Sequence, residues 1–166
     1  MNVLGIDPGF GKKSTGLAIV DTRFSNRVIY TETCDGLEAI ARINKLVRDW
    51  THHVALYAVV QSPLFQDGKK TPRWNTSAIA LVKNAAISHE IIGFLKGLGI
   101  NVQVRQPTRG AGMKMSPEMF VKEFGGKVVK LRTKFTVMLD GKIVDEHARD
   151  AVALAMSWRA NGLRSC

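Results

Sequence analysis

Cysteine is nearly absent: Cys34 and Cys166 are the only two in 166 residues. Two distant thiols exclude a small disulfide scaffold, and the start of the chain lacks a charged, then apolar, then cleavable leader pattern, so a reducing cytoplasmic setting is predicted. Long hydrophobic runs are missing too. Every apolar run is short and broken by charge, well below the roughly 20 residues a spanning helix needs. Acidic residues are scarce, with 14 Asp and Glu against 24 Lys and Arg, which gives a formal charge of +10 and a pI near 10.0. That surplus points to a polyanionic partner. The cations do not gather on one amphipathic helix and no lipidation motif is visible, so nucleic acid is favoured over a membrane surface. Neither an internal repeat nor a low-complexity tract occurs.

What is present suits one domain spanning residues 1–166, because a 45% hydrophobic composition at this length supplies a full core. The chain is organised around its first sixteen residues. An apolar run, Val3-Leu4-Gly5-Ile6, stops at Asp7, and Pro8, Gly9, Gly11 and Gly16 follow before Leu17-Ala18-Ile19-Val20 resumes. This predicts strand, turn, strand. A carboxylate where a buried strand meets a glycine-rich turn suits a metal ligand or a phosphate-facing group, and it equally suits an ordinary Asp-Pro-Gly turn.

Residues 27–33 read as a third strand, completing an antiparallel meander that turns at Asp35-Gly36. Leu37, Ile40, Ile43, Leu46, Val47 and Trp50 recur at helical spacing and predict an amphipathic helix over 37–50, with Arg42, Lys45 and Arg48 on its wet side. Residues 54–60, entered after His52-His53, fit a buried strand ending at Gln61. A loop over 62–75 mixes Lys69, Lys70 and Arg73 with Phe65 and Trp74. Such a loop can touch phosphates and stack on bases, or its rings can tuck inwards and pin it.

Asn75 or Thr76 can cap the longest helix, which runs to about Leu98. Its apolar residues lie around most of the wheel, so one side should cover the sheet and the other could meet a second protomer across a two-fold axis. His89 within it reads as a packing or interface residue. Residues 101–105 predict a fifth strand, parallel to the fourth through the helical crossover. Residues 107–115, with Arg109 and Lys114, form a basic glycine-containing loop suited to a phosphate chain. Ser116-Pro117-Glu118 opens a short helix stopped by Gly125-Gly126. Residues 128–144 alternate Lys130, Arg132 and Lys134 with apolar residues ahead of Asp140-Gly141, which predicts a β-hairpin with a basic face. The last helix, 144–160, packs through Ala148, Ala151, Leu154, Ala155 and Trp158.

His147 and Asp150 lie three apart on that helix and project from one face, where the apolar stripe begins. Covered by packing, they need partners. A metal ion supported by a carboxylate elsewhere would serve, and so would a surface pairing with Arg149 or a lysine.

Taken in order, Gly5-Ile6-Asp7-Pro8-Gly9 with Gly16 and Ala18, a strand ending at Gln61, and His147-Ala148-Arg149-Asp150-Ala151-Val152-Ala153-Leu154-Ala155 resemble the RuvC family of Holliday junction resolvases. The resemblance covers residues 1 to about 106 and about 144 to 158. It implies an α/β, RNase H-like fold, with a five-stranded mixed sheet flanked by helices, strands one to three antiparallel and four and five parallel additions. It also implies a homodimer, through the helix of about residues 76–98, on a four-way DNA junction, in a bacterial or phage-infected cell. Two divalent ions per active site, Mg2+ or Mn2+, would be held by Asp7, the residue at position 61, His147 and Asp150. Phe65 stands where the family carries a junction-stacking aromatic. Lys69, Lys70, Arg73, Trp74, Arg105, Arg109, Lys114 and residues 127–134 become candidate DNA contacts.

The sequence departs from the family pattern at Gln61, where the family has glutamate. An amide keeps the size and one carbonyl oxygen but loses the charge, which implies binding without efficient cleavage, as in a natural loss of activity or an engineered inactive form. Three other readings stand beside a metal-dependent junction endonuclease. These are a non-catalytic structure-specific DNA-binding protein, a phosphotransferase of the actin and sugar-kinase kind, and an RNA-directed hydrolase on the same fold.

Overall fold

A computed structural model describes residues 1–23, 26–51, 56–61, 78–105 and 114–162. The opening residues form β1 (Asn2–Asp7) and β2 (Thr15–Asp21), and β3 (Arg27–Cys34) completes an antiparallel trio. A 3-10 turn (Gly36–Glu38) leads into α1 (Ala39–Thr51). Next, β4 (Leu56–Gln61) pairs in parallel with β1, α2 (Ala78–Gly97) crosses over, and β5 (Asn101–Arg105) adds in parallel to β4. The sheet order is therefore β3-β2-β1-β4-β5.

Two layers of side chains follow from strand alternation. Leu4, Ile6, Leu17 and Ile19 face α1 and α2, where they join Ile43, Leu46, Val47, Ile91 and Leu95. Val3, Ala18 and Val20 face the opposite way and join Ala148, Ala151, Val152, Leu154, Ala155 and Trp158 of α4 (Glu146–Gly162). Helix α4 lies hard against the strands because Gly5 and Gly16 have no side chains. A Cβ on Gly5 would sit 1.9 Å from the Ala151 carbonyl oxygen, and one on Gly16 would sit 2.0 Å from that of His147.

Between β5 and α4 the chain forms α3 (Pro117–Phe124), capped by Ser116, whose hydroxyl accepts from the Met119 N–H. Then come β6 (Lys127–Leu131), β7 (Lys134–Leu139) and β8 (Lys142–Val144), a separate three-stranded antiparallel sheet. The hairpin expected over 128–144 is thus two hairpins sharing β7: the chain turns at the expected Asp140-Gly141, with φ of +49° and +77°, and already before it at Arg132-Thr133, with Arg132 at φ +53°. Val137 and Val144 bury this sheet against Phe120 and α4.

The helix expected from residue 37 begins at Ala39, and Leu37 is 82% exposed. Ala39 occupies the core instead, since the 3-10 turn rotates Leu37 outward. Arg42, Lys45 and Arg48 are exposed as expected. On α2, Ala85, Ile87, Ile91, Ile92 and Leu95 are buried, while Val82, Ala86, His89 and Gly93 are exposed. Cys34 is a buried free thiol, which burial above all pushes up to about 11. Among the described residues no helix is long and apolar enough to cross a membrane.

Candidate active site

Asp7 ends β1 on the face that carries Val3 and Gly5, the face covered by α4. The turn after it is tied down on several sides. The Gly9 N–H donates to Thr15 Oγ1 at 3.1 Å, and that hydroxyl donates back to the Gly9 carbonyl at 2.9 Å. The Lys13 N–H donates to Asp35 Oδ1 at 2.7 Å, the Gly36 N–H to the Gly11 carbonyl at 3.1 Å, and the Phe10 N–H to Asn84 Oδ1 of α2 at 3.0 Å. Gly36 must be glycine here, since its Cβ would fall 2.1 Å from the Gly9 carbonyl oxygen. The outcome is a carboxylate on a rigid base, as a functional group requires.

His147 reaches Asp7 from the first turn of α4. Asp145 fixes that turn: its Oδ1 accepts from the Ala148 N–H at 3.0 Å, the geometry of a helix N-cap, and from Thr33 Oγ1 of β3 at 2.6 Å. His147 Nδ1 then lies 3.1 Å from Asp7 Oδ2, across 140 residues of sequence. A carboxylate acceptor selects the tautomer protonated on Nδ1 and leaves Nε2 as the lone-pair nitrogen. The side chain of Asp7 is 14% exposed and that of His147 43%, so the pair sits at the rim with its carboxylate inside. The bond to Asp7, opposed by burial, raises the His147 pKa above its ordinary 6.5.

Asp150 follows one turn later. Burial first, and the charge of Asp7 second, push its carboxyl up to about 6. A hydrogen bond from the Met115 N–H at 3.3 Å holds one of its oxygens, and the carbonyl of the same residue accepts from Arg149 Nε at 3.0 Å. Arg149 is buried and also donates to the Val144 carbonyl at 3.0 Å. It therefore clamps the 114–116 segment and the small sheet onto α4, and does not pair with His147 or Asp150. Lys114 Nζ lies 3.1 Å from Glu146 Oε1 at the exposed rim, which raises the lysine pKa and lowers that of the glutamate.

Gln61 ends β4. The last β1–β4 pair is Ile6 with Val60, so Asp7 and Gln61 terminate neighbouring parallel strands one residue beyond it. Arg105, expected at a phosphate, bends back over its own strand and α4, donating to Gln103 Oε1 at 3.4 Å and to the Ser157 carbonyl at 3.3 Å. Phe65, Lys69, Lys70, Arg73, Trp74 and Arg109 lie outside the described residues, as do the 62–75 loop, most of the 107–115 loop and the Asn75 or Thr76 cap. Sequence reasoning missed three positioning groups: Asp145, the Met115 peptide and the Arg149 clamp. Only Asp145, an acidic residue just before a helix, carried a readable signal.

Among the described residues, no set of three or more histidine, cysteine, aspartate or glutamate side chains closes on one point at metal-holding spacing. Asp7 and His147 touch, and Asp150, near enough to feel the charge of Asp7, is held by the Met115 N–H. The donor chemistry nevertheless fits a divalent cation, because the two carboxylates are close enough for the charge of one to disfavour ionisation of the other.

Solved structures with this arrangement of elements exist. A Thermus thermophilus RuvC structure matches with a TM-score of 0.63 at 17% identity, covering 99% of this chain and 96% of that one. The chain has the RuvC fold. T. thermophilus RuvC in complex with Holliday junction substrate matches with a TM-score of 0.62 at 18% identity over the same shares. A Fowlpox virus resolvase in complex with Holliday junction DNA matches with a TM-score of 0.53 at 18% identity, over 94% of this chain and 97% of that one. No protein-family model matches the sequence, and no curated protein does. On the RuvC fold found here, the aspartate ending the first strand and the first turn of the last helix come together.

Proposed function

We propose that the chain, as a single nuclease domain over residues 1–166, is a Holliday junction resolvase that selects four-way DNA junctions by shape. The contact of Asp7 with His147, beside Asp150 on a RuvC fold, carries this reading. A chain of formal charge +10 supplies the attraction to phosphate that such a substrate requires. The reaction is hydrolysis of a phosphodiester to a 5′ phosphate and a 3′ hydroxyl.

Asp7, His147 and Asp150, with Gln61 at the end of the neighbouring strand, are the residues that would hold Mg2+ or Mn2+. Two such ions, when bound, supply Lewis acidity for the attacking water and for the leaving 3′ oxygen. The chain's own contribution is orientation. Asp145 sets the helix turn carrying His147, Met115 sets the rotamer of Asp150, and the tied-down turn sets Asp7. Gln61 gives a neutral oxygen where a carboxylate would add charge, so this sequence binds junctions and cuts them poorly. Lys114, Arg109 and Arg105, with Phe65, Lys69, Lys70, Arg73 and Trp74 of the 62–75 loop, are the assigned DNA contacts. Of these, Arg105 requires release from Ser157 first. The exposed face of α2, with Val82, Ala86, His89 and Gly93, is the homodimer contact.

The second reading, a structure-specific DNA-binding protein without catalysis, is favoured by Gln61 itself. Gel-shift titration on a synthetic four-way junction and on linear duplex of equal length tests the shared claim. Junction affinity at least tenfold tighter is expected, and equal affinities would refute it.

A further inference from the structure

The separate sheet ends in a projection that none of the site chemistry above uses. From Lys130 to Phe135 every residue is exposed, whereas Thr136 and Val137, next along the strand, are buried. The tip is closed by the Leu131–Lys134 pair around Arg132 and Thr133, with Arg132 at φ +53°. Its composition is unusual for a solvent-facing turn. Residues 127–144 hold five cations, Lys127, Lys130, Arg132, Lys134 and Lys142, against one acid, Asp140. Set among them are Phe135, 59% exposed, and Leu131, 44% exposed. The Lys130 ammonium sits 5.9 Å from the centre of the Phe135 ring and holds it on the surface.

The projection is rooted beside the candidate site. Thr136 Oγ1 donates to the Val144 carbonyl at 2.9 Å, and Arg149, next to Asp150, donates to both that carbonyl and Thr136 Oγ1. Lys134 acts electrostatically on Glu146, the neighbour of His147. The tip therefore stands on a rigid base at the edge of the site and carries positive charge away from it.

We propose that the β6–β7 tip is a second DNA grip, in which Lys130, Arg132 and Lys134 hold the phosphates of the arm leaving the site and Phe135 packs on its sugars and bases. This rests on the reading of the chain as a junction-binding protein. Charge decides the occupant. A second copy of this chain would set like charges face to face, whereas a nucleic-acid arm brings a regular row of anions, and an exposed ring between cations suits sugars and bases.

The test is fluorescence titration of a labelled four-way junction over a range of salt concentrations. It compares the unaltered chain with a Lys130→Gln, Arg132→Asn, Lys134→Gln variant, asparagine being chosen because it tolerates the left-handed backbone at 132. A control variant, Arg42→Gln, Lys45→Gln, Arg48→Gln, removes as many charges from α1 on the opposite layer. The tip variant should bind about tenfold more weakly, with the slope of log affinity against log salt reduced by about 2 to 3. The control should keep the slope within about half a unit, and Phe135→Ala should weaken junction binding with the slope unchanged. A tip variant as tight and as salt-sensitive as the unaltered chain would overturn the grip while leaving junction recognition standing. If the unaltered chain itself showed no preference for the junction over duplex, recognition would fall, and the grip with it.

Discussion

The pKa shifts at Asp150 and His147 make the candidate site a source of pH-dependent stability. Burial and the charge of Asp7 raise the folded-state pKa of Asp150 from 3.8 to about 6, so the fold favours its neutral form. That contribution is fully present below about pH 3.8 and is lost as pH rises through 6. His147 is raised as well, so its bond to Asp7 stabilises fully below its ordinary 6.5 and fades as pH rises through the folded value. Without metal, both groups weaken the fold towards pH 8. A divalent cation at these residues should reverse the trend, raising the melting temperature more at pH 8 than at pH 5. Asp150→Asn removes the repulsion and keeps the oxygen that accepts from Met115. It should raise metal-free stability at pH 8 by about 1 kcal/mol, or roughly 2–4 °C for a chain of this size, and diminish the response to Mg2+ or Mn2+. Thermal unfolding monitored by circular dichroism reads both, and a melting temperature indifferent to metal at both pH values would contradict the assignment.

Among the elements, α4 carries the most consequences because it is packed against backbone. Gly5→Ala places a Cβ 1.9 Å from the Ala151 carbonyl oxygen, so the helix must move. A loss of about 3 kcal/mol or more in chemical denaturation is expected, with metal response impaired because His147 moves with the helix. Asp145→Ala deletes the cap and should cost about 1 kcal/mol, whereas a change under about 0.3 kcal/mol would show that Thr33 and the cap do not hold the helix start. Arg149→Met removes a buried cation whose partners include two carbonyls, those of Met115 and Val144. Leaving them without donors should cost about 1–3 kcal/mol.

These elements show how far the sequence could be read. The meander, α1, α2 and β5 were legible because apolar periodicity and glycine punctuation report local geometry. Leu37 misled because its spacing matched the helix while the chain was still in a 3-10 turn. In the small sheet the Asp-Gly turn was legible, whereas the turn at Arg132-Thr133 was hidden, because it has no glycine and lies within one alternating run of cations and apolar residues. At the site, His147 and Asp150 were legible as a pair by their spacing on a helix. Their approach to Asp7 was not, because no local pattern encodes a contact across 140 residues. It was expected only from the family resemblance. Arg149 illustrates the converse: beside an acidic residue it reads as an ion-pair partner, yet the structure turns it towards carbonyls.

For the whole molecule, the charge surplus and the RuvC fold set the expected behaviour. If the chain is the proposed junction binder, its affinity should fall steeply with salt, through the cations at the site rim and on the projecting tip among others. On the proposed reading, binding and cutting should be separable, because the cations assigned to DNA are distinct from the amide at the end of β4. The most direct measurement is a denaturing-gel nicking assay on a four-way junction in Mg2+, run on this chain and on Gln61→Glu at matched occupancy. Little product is expected from the unaltered chain and at least a hundredfold faster nicking from Gln61→Glu, with 5′ phosphate ends. Equal rates for the two proteins, or no cutting by Gln61→Glu despite tight junction binding, would refute the role proposed for position 61.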